Sequence, residues 1–245
     1  MSAAPGETPG LWRALFEPAS ARPPASPALR AAAARLGALT SPALADFLLA
    51  PAAARLGAPL LDPAAVAGSR LLARFTRAAQ LDCAAAIAAA GIPAVYLKGF
   101  ANAHTLYPEP ELRLFGDLDV LVAPGDLDGV VALFAARGFT FRPGRGPAWG
   151  FQPEGSFVPF ASPDDACNLD LHILPDGYPV ARALTTARLF AAARELRLGS
   201  VAVRVPSREH AFVLCLSNIA KDKFGPYAVR KLLDALRLLT TAPAL

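Results

Sequence analysis

Two short stretches constrain this chain more than anything else in it: Gly116-Asp117-Leu118-Asp119-Val120-Leu121-Val122 and Asn168-Leu169-Asp170-Leu171-His172-Ile173. Both alternate polar with apolar residues at the two-residue period of a β-strand, where side chains two apart share a face. Asp117 and Asp119 therefore point one way, and Leu118, Val120 and Val122 point the other, into a core. Asp170 and His172 share a face opposite Leu169, Leu171 and Ile173 in the same manner. Two carboxylates about 7 Å apart along one strand face repel each other. An oxygen-seeking divalent cation such as Mg²⁺ offsets that repulsion. Mid-strand acids are disfavoured without a partner, and here two strands carry them. If those strands are neighbours, three carboxylates converge, an arrangement that supports two-metal catalysis of displacement at phosphorus. Taken singly, D-x-D fits a solvated acidic face at least as well, and Asp170 alone fits an edge strand with its polar face in water. Asp164 and Asp165 compete for the third position, but they follow Pro163 in an expected turn.

The rest of the chain places these strands in an α+β unit between helical regions. Residues 1–27 are rich in Pro, Ala, Gly and Ser and read as irregular, with a short helical turn near Leu11 to Phe16. Residues 28–90 read as helical: two alanine-rich helices parted at Ser41-Pro42, then a longer one from Pro63 to Ala90, closed by Gly91. Residues 91–206 form the α+β core. Its expected strands lie at 92–97, 117–122, 139–142, 156–161, 168–173, 195–198 and 201–205, and its helices at 99–106, 124–137 and 180–194. Residues 207–245 return to helix, one capped by Ser207 and a last amphipathic one from Tyr227. The expected fold class is α+β, a small mixed β-sheet flanked by helices, with helical N- and C-terminal regions.

Charge sharpens this division. Net charge is +4 from 24 basic and 20 acidic residues, too mild to indicate nucleic acid. Residues 1–90 balance at +3, 91–200 at −3 and 201–245 at +4, so the acid sits in the middle. Cys83, Cys167 and Cys215 are odd in number and form no C-x-x-C, which argues against a disulfide framework or zinc knuckle and for a reducing cytoplasm. The N-terminus has no secretory pattern, and the longest apolar run, Cys83 to Leu97, is broken by Gly91 and Pro93; no membrane association is expected.

A third signal is Tyr96-Leu97-Lys98-Gly99-Phe100, a strand passing through glycine into a helix. Glycine permits close backbone approach to a ligand, and the helix N-terminus offers unpaired N–H groups to a phosphate. Lys98 adds a point charge, and Arg113 is a further candidate for phosphate contact. Each also fits an ordinary turn with a surface cation. The C-terminal helices carry Lys221, Lys223, Arg230 and Lys231, of which Lys221 is the best candidate to meet a triphosphate; a solvated helix face is the plainer reading. His172 is a metal-side or acceptor-side group, or simply a hydrogen-bonded packing residue. His104 and His210 have no evident partner, and Trp12 and Trp149 read as core or loop anchors.

The ordered set G-I-P-A-V-Y-L-K-G, L-Y-P at 106–108, R-L-F-G-D-L-D-V-L-V at 113–122, A-A-R-G-F at 135–139 and L-D-L-H at 169–172 resembles an uncharacterised bacterial nucleotidyltransferase family. That family is a branch of the polymerase-β-like nucleotidyltransferase superfamily, and the resemblance spans roughly residues 70–240. It implies the polymerase-β-like fold, Mg²⁺ (two ions, with Mn²⁺ as a substitute) and a nucleoside triphosphate (NTP) donor such as ATP. It further implies that Asp117 and Asp119 hold both metals, that Asp170 holds the one activating the acceptor, and that Gly99 lies against the donor phosphates. There are departures: Phe100 follows Gly99 where the superfamily has serine, and Ser217 and Asn218 stand where related sequences carry histidine. Phosphate binding would then rest on backbone N–H groups and on cations such as Lys98. The function expected is metal-dependent transfer of a nucleoside monophosphate to a small molecule, a peptide or protein side chain, or an RNA end, with release of pyrophosphate. The charge pattern argues against long nucleic acids, and oligomeric state is not readable from the sequence. The competing expectation is a noncatalytic module of the same fold, acting beside a toxin–antitoxin pair or a peptide-tailoring enzyme.

Overall fold

Proline opens each of the first three helices, α1 (Pro27–Leu39), α2 (Pro42–Leu56) and α3 (Pro63–Ala89). A first-turn N–H has no intrahelical partner, so its loss costs nothing there. These helices belong to a computed structural model that describes residues 27–141, 156, 159–223, 225 and 228–240. The expected turn at Leu11 to Phe16, Trp12, Trp149 and most of the irregular N-terminal segment lie outside the described residues. Ser41 caps α2, its Oγ accepting from the Leu44 N–H at 3.1 Å. Gly57 ends it at φ 65°, a left-handed conformation that glycine adopts without a Cβ penalty.

The chain forms two compact units, and α3 runs from one into the other. The first unit's described residues are 27–73 and Glu111–Leu114. Its apolar centre is Leu29, Ala33, Leu49, Ala52 and Leu60. A buried 3₁₀ turn, Pro110–Leu112, adds Leu112, whose carbonyl accepts from Ser41 Oγ at 3.5 Å.

The second unit, residues 74–110 and 115 onward, holds the sheet. Along the chain come β1 (Ala94–Tyr96), α4 (Lys98–Leu106), β2 (Asp117–Val122), α5 (Leu127–Ala136), β3 (Thr140–Phe141), β4 (Phe160–Ala161) and β5 (Asn168–His172). Then follow α6 (Val180–Ala183), α7 (Thr186–Ala192), the hairpin β6 (Arg194–Leu198) and β7 (Val201–Val205), α8 (Arg208–Lys221) and α9 (Ala228–Thr240). The strand order is β1-β2-β5-β4-β3. β2 and β5 run parallel and the other pairs antiparallel, so this is a mixed sheet in an α+β fold.

Both faces of β2 are covered. Leu118, Val120, Val122, Leu169 and Leu171 enter one cluster with Ile87, Phe100, Phe134 and Val203. Leu121 enters another with Val95, Leu97, Leu184, Leu189 and Leu214. A strand beside a parallel neighbour and buried on two sides reads as a continuous apolar run, and Val120-Leu121-Val122 does so. Cys83 and Cys167, both buried, place their Sγ atoms 3.5 Å apart within the first cluster.

Several elements depart from the sequence expectation. The helix expected over 180–194 is two, because Thr185 Oγ1 accepts from the Arg188 N–H at 3.3 Å and starts a new helix. The helix expected from Pro124 begins as a 3₁₀ turn, Pro124–Asp126. Of the strand expected over 156–161, the described residues hold β4 and a Ser156–His172 bridge, and 157 and 158 lie outside them.

Candidate functional site

The parallel register places Asp117 opposite Asn168 and Asp119 opposite Asp170. Paired residues of neighbouring strands project to the same side of a sheet, so the two aspartates meet. His172, two residues beyond Asp170, joins them on that face. Its Nε2 lies 2.9 Å from Asp119 Oδ1 and 3.5 Å from Asp170 Oδ2. Asp119 and His172 are buried, and Asp170 is partly exposed.

Lys98 enters from the β1 side of β2. As the first residue of α4, it ion-pairs through Nζ with Asp119 Oδ1 and comes within 3.4 Å of His172 Nε2. Burial alone would lower the lysine's pKa, but the Asp119 charge and hydrogen bond outweigh it and hold the ammonium above its ordinary range. Burial would raise that of Asp119; Lys98 and His172 reverse the sign and hold the carboxyl well below the usual carboxylate range. For His172, burial and Lys98 oppose the charged ring, yet hydrogen bonds to Asp119 and Asp170 leave its pKa raised. Asp117 is different. It stands exposed at the start of β2, and the neighbouring Asp119 charge pushes its pKa up to about 6.

This donor set fits a divalent cation. Asp119, Asp170 and His172 each offer one ligand atom, all within 4.8 Å of one another. Asp170 Oδ1 is buried without a hydrogen-bond partner among the described residues, a lone pair that a cation would satisfy. Carboxylate oxygens suit Mg²⁺ and Mn²⁺, and the imidazole nitrogen shifts the preference toward transition metals.

The remaining sequence candidates fall as follows. Gly99 is buried in the first turn of α4. A Cβ there would lie 2.8 Å from both Cβ and Cγ of Phe115, so close packing with that side chain by itself demands glycine. The Leu97 side chain donates no cap to α4, leaving its first N–H groups uncapped by that residue. Arg113 is buried in the first unit's 111–114 segment, where Nη1 donates to the Leu114 carbonyl at 3.0 Å. Lys221, at the end of α8, ion-pairs with Asp176. Asp176 is buried just after β5 and accepts from the Gly177 N–H at 2.7 Å. Burial would raise its pKa, but Lys221, Ser217 and the Gly177 amide lower it.

Sequence reasoning weighed His172 mainly as packing and did not single out Asp176 or Asp234. The i, i+2 spacing from Asp170 was the available signal for His172; only the strand register shows that its ring meets Asp119. Asp234 is buried on α9, where Oδ2 accepts from Asn102 Nδ2 at 3.1 Å and Oδ1 from the Tyr107 hydroxyl at 2.7 Å. It thereby anchors the helix that presents Lys98, across 132 residues of sequence that no local pattern spans.

No helix among the described residues is long and apolar enough to cross a membrane. No curated protein matches the chain. The model of a family described as "Uncharacterised nucleotidyltransferase" matches residues 65–245, the span that contains every side chain of this site. With the mixed sheet and the paired acidic strands in place, the chain belongs to this nucleotidyltransferase family.

Proposed function

We propose that the protein transfers a nucleoside monophosphate from a nucleoside triphosphate to a nucleophile, such as a hydroxyl, on an acceptor, releasing pyrophosphate. The observation that carries this reading is the in-register pairing of Asp119 with Asp170 beside Lys98 and the N-terminus of α4. Acidic groups, a cation and a helix N-terminus thereby lie together, which supports nucleotidyl transfer.

Asp119, Asp170 and His172 would hold one divalent ion, and Asp117 with Asp119 a second. Bound there, such ions neutralise phosphate charge and lower the pKa of the attacking group. The side chains supply the rest. Asp119 stays ionised at neutral pH because Lys98 and His172 favour its charged form. Lys98 and the first N–H groups of α4 would receive donor phosphate oxygens. Gly99 serves by letting Phe115 brace that turn. Lys221 is a secondary candidate for phosphate contact, through exchange of its Asp176 partner. Three buried free cysteines suit a reducing compartment such as the cytoplasm.

The test is incubation with each α-³²P-labelled nucleoside triphosphate, Mg²⁺ or Mn²⁺, and panels of small-molecule, peptide and RNA acceptors. Label transfer and pyrophosphate release are expected in the wild type and lost in Asp119→Asn and Asp170→Asn. If the folded wild type neither binds a nucleotide with metal nor releases pyrophosphate with any acceptor, a noncatalytic module of this fold is the better reading.

A further inference from the structure

Lys98 occupies an uncomfortable backbone position. Its φ is 46°, in the left-handed region that favours glycine, although it opens a helix. A long side chain held there persists only where surrounding contacts over-determine it, and such residues cluster at sites where the strain serves function. The contacts here are those of its ammonium, which reaches Asp119 Oδ1 and lies 3.4 Å from His172 Nε2. The side chain is 26% exposed and Asp119 2%, so solvent screens the pair poorly.

Asp119 and His172 also belong to the candidate metal trio, which offers one ligand atom per residue, all within 4.8 Å of one another. An ammonium and a divalent ion on one buried carboxylate repel each other, because their like charges are poorly screened there. A metal entering this trio therefore favours displacement of Lys98. A displaced ammonium needs another anion, and Lys98 stands on the first turn of α4, where a donor triphosphate is proposed to bind.

We propose that Lys98 is a resident counter-cation that holds divalent metal off Asp119 until a nucleoside triphosphate draws the ammonium away. This rests on the nucleotidyl-transfer reading of the site and adds an order to it: metal and nucleotide each favour the other's binding, and neither binds tightly alone. Lys98 is then a positioning residue with two partners, Asp119 before the donor arrives and phosphate after. The coupling is reciprocal, as binding linkage demands.

The experiment is nucleotide-free Mn²⁺ binding, followed by electron paramagnetic resonance, for the wild type, Lys98→Met and Lys98→Arg, each checked for folding by circular dichroism. Lys98→Met is expected to bind Mn²⁺ roughly 5–150-fold more tightly than the wild type, the usual range of coupling between sites. Lys98→Arg, which keeps the charge, is expected to stay near the wild type. A purely structural lysine would weaken metal binding on removal instead. Equal affinity in wild type and Lys98→Met overturns the Lys98 proposal and leaves the nucleotidyl-transfer reading standing; no Mn²⁺ binding by any of the three overturns both. Should Lys98→Met not fold, competitive acetylation of the wild type decides the matter. Mn²⁺ is expected to raise the labelling of Lys98 relative to Lys221, Lys223 and Lys231, and an unchanged ratio at Mn²⁺ concentrations that occupy the site overturns the proposal.

Discussion

Replacing Asp119 and Asp117 separately by alanine distinguishes a carboxylate that organises the pocket from one that only serves it. Asp119 is 2% exposed, and its Oδ1 takes both His172 Nε2, at 2.9 Å, and the Lys98 ammonium. Removing one partner of a buried pair leaves the others desolvated and uncompensated, which costs about 3–5 kcal/mol. The remaining contact, Asp170 Oδ2 at 3.5 Å from His172, is too long to replace what is lost. Asp119→Ala is therefore expected to lose about 3–5 kcal/mol of stability in EDTA. Asp117 is exposed, and its pKa is pushed up to about 6 by the Asp119 charge, so its ionised form opposes folding. The sign follows from linkage. With the folded pKa above the unfolded value of about 3.9, stability falls as pH rises through the window between about 4 and about 6. Asp117→Ala removes that fall and leaves the protein at least as stable as the wild type at pH 7, although nucleotidyl transfer is lost. Urea unfolding at pH 4.5 and pH 7, in EDTA, reads both effects. An Asp119→Ala protein within about 1 kcal/mol of the wild type would refute the reasoning, since surface ion pairs alone are worth that much.

Other expectations follow from single contacts. Gly99→Ala should cost about 1–3 kcal/mol by overpacking against the root of the Phe115 side chain. A Phe115→Ala second substitution should recover part of that in a double-mutant cycle, and strict additivity would remove the packing explanation. Asp234→Ala, which strands the Asn102 amide and the Tyr107 hydroxyl, should cost about 2–4 kcal/mol by thermal or urea unfolding; a loss below about 1 kcal/mol would show that α9 does not anchor α4 through this carboxylate. The lowered pKa of Asp176 makes its contribution present above about pH 4 and lost as pH falls further. Lys221→Met should therefore flatten the acid limb of the stability curve, and an unchanged limb between pH 5 and pH 2.5 would separate Lys221 from that shift.

How much of this could be seen in the chain itself varied by element, for physical reasons. Local rules marked the helix opened by Pro63, the break at Ser41-Pro42, the Ser207 cap, the strands at 195–198 and 201–205 and the two acidic strands, because caps, turns and the two-residue period act between near neighbours. The same rules missed the break at Thr185, where one hydroxyl outcompetes helix continuation. They also offered two readings of Gly99, a ligand's approach or an ordinary turn, and not the packing against Phe115. The chain also showed Asp170 and His172 sharing a face. What it could not show was the partner across the sheet. Strand order and register are long-range properties, and a one-residue slip would have turned Asp170 away from Asp119. Tertiary structure alone decided that Asp119 pairs with Asp170, that Lys98, just past β1, neutralises Asp119, and that Asp234 ties the helix bearing that lysine to the C-terminal helix. Side-chain chemistry is written locally; the energy of a buried charge depends on which other charges the fold brings within a few ångströms of it.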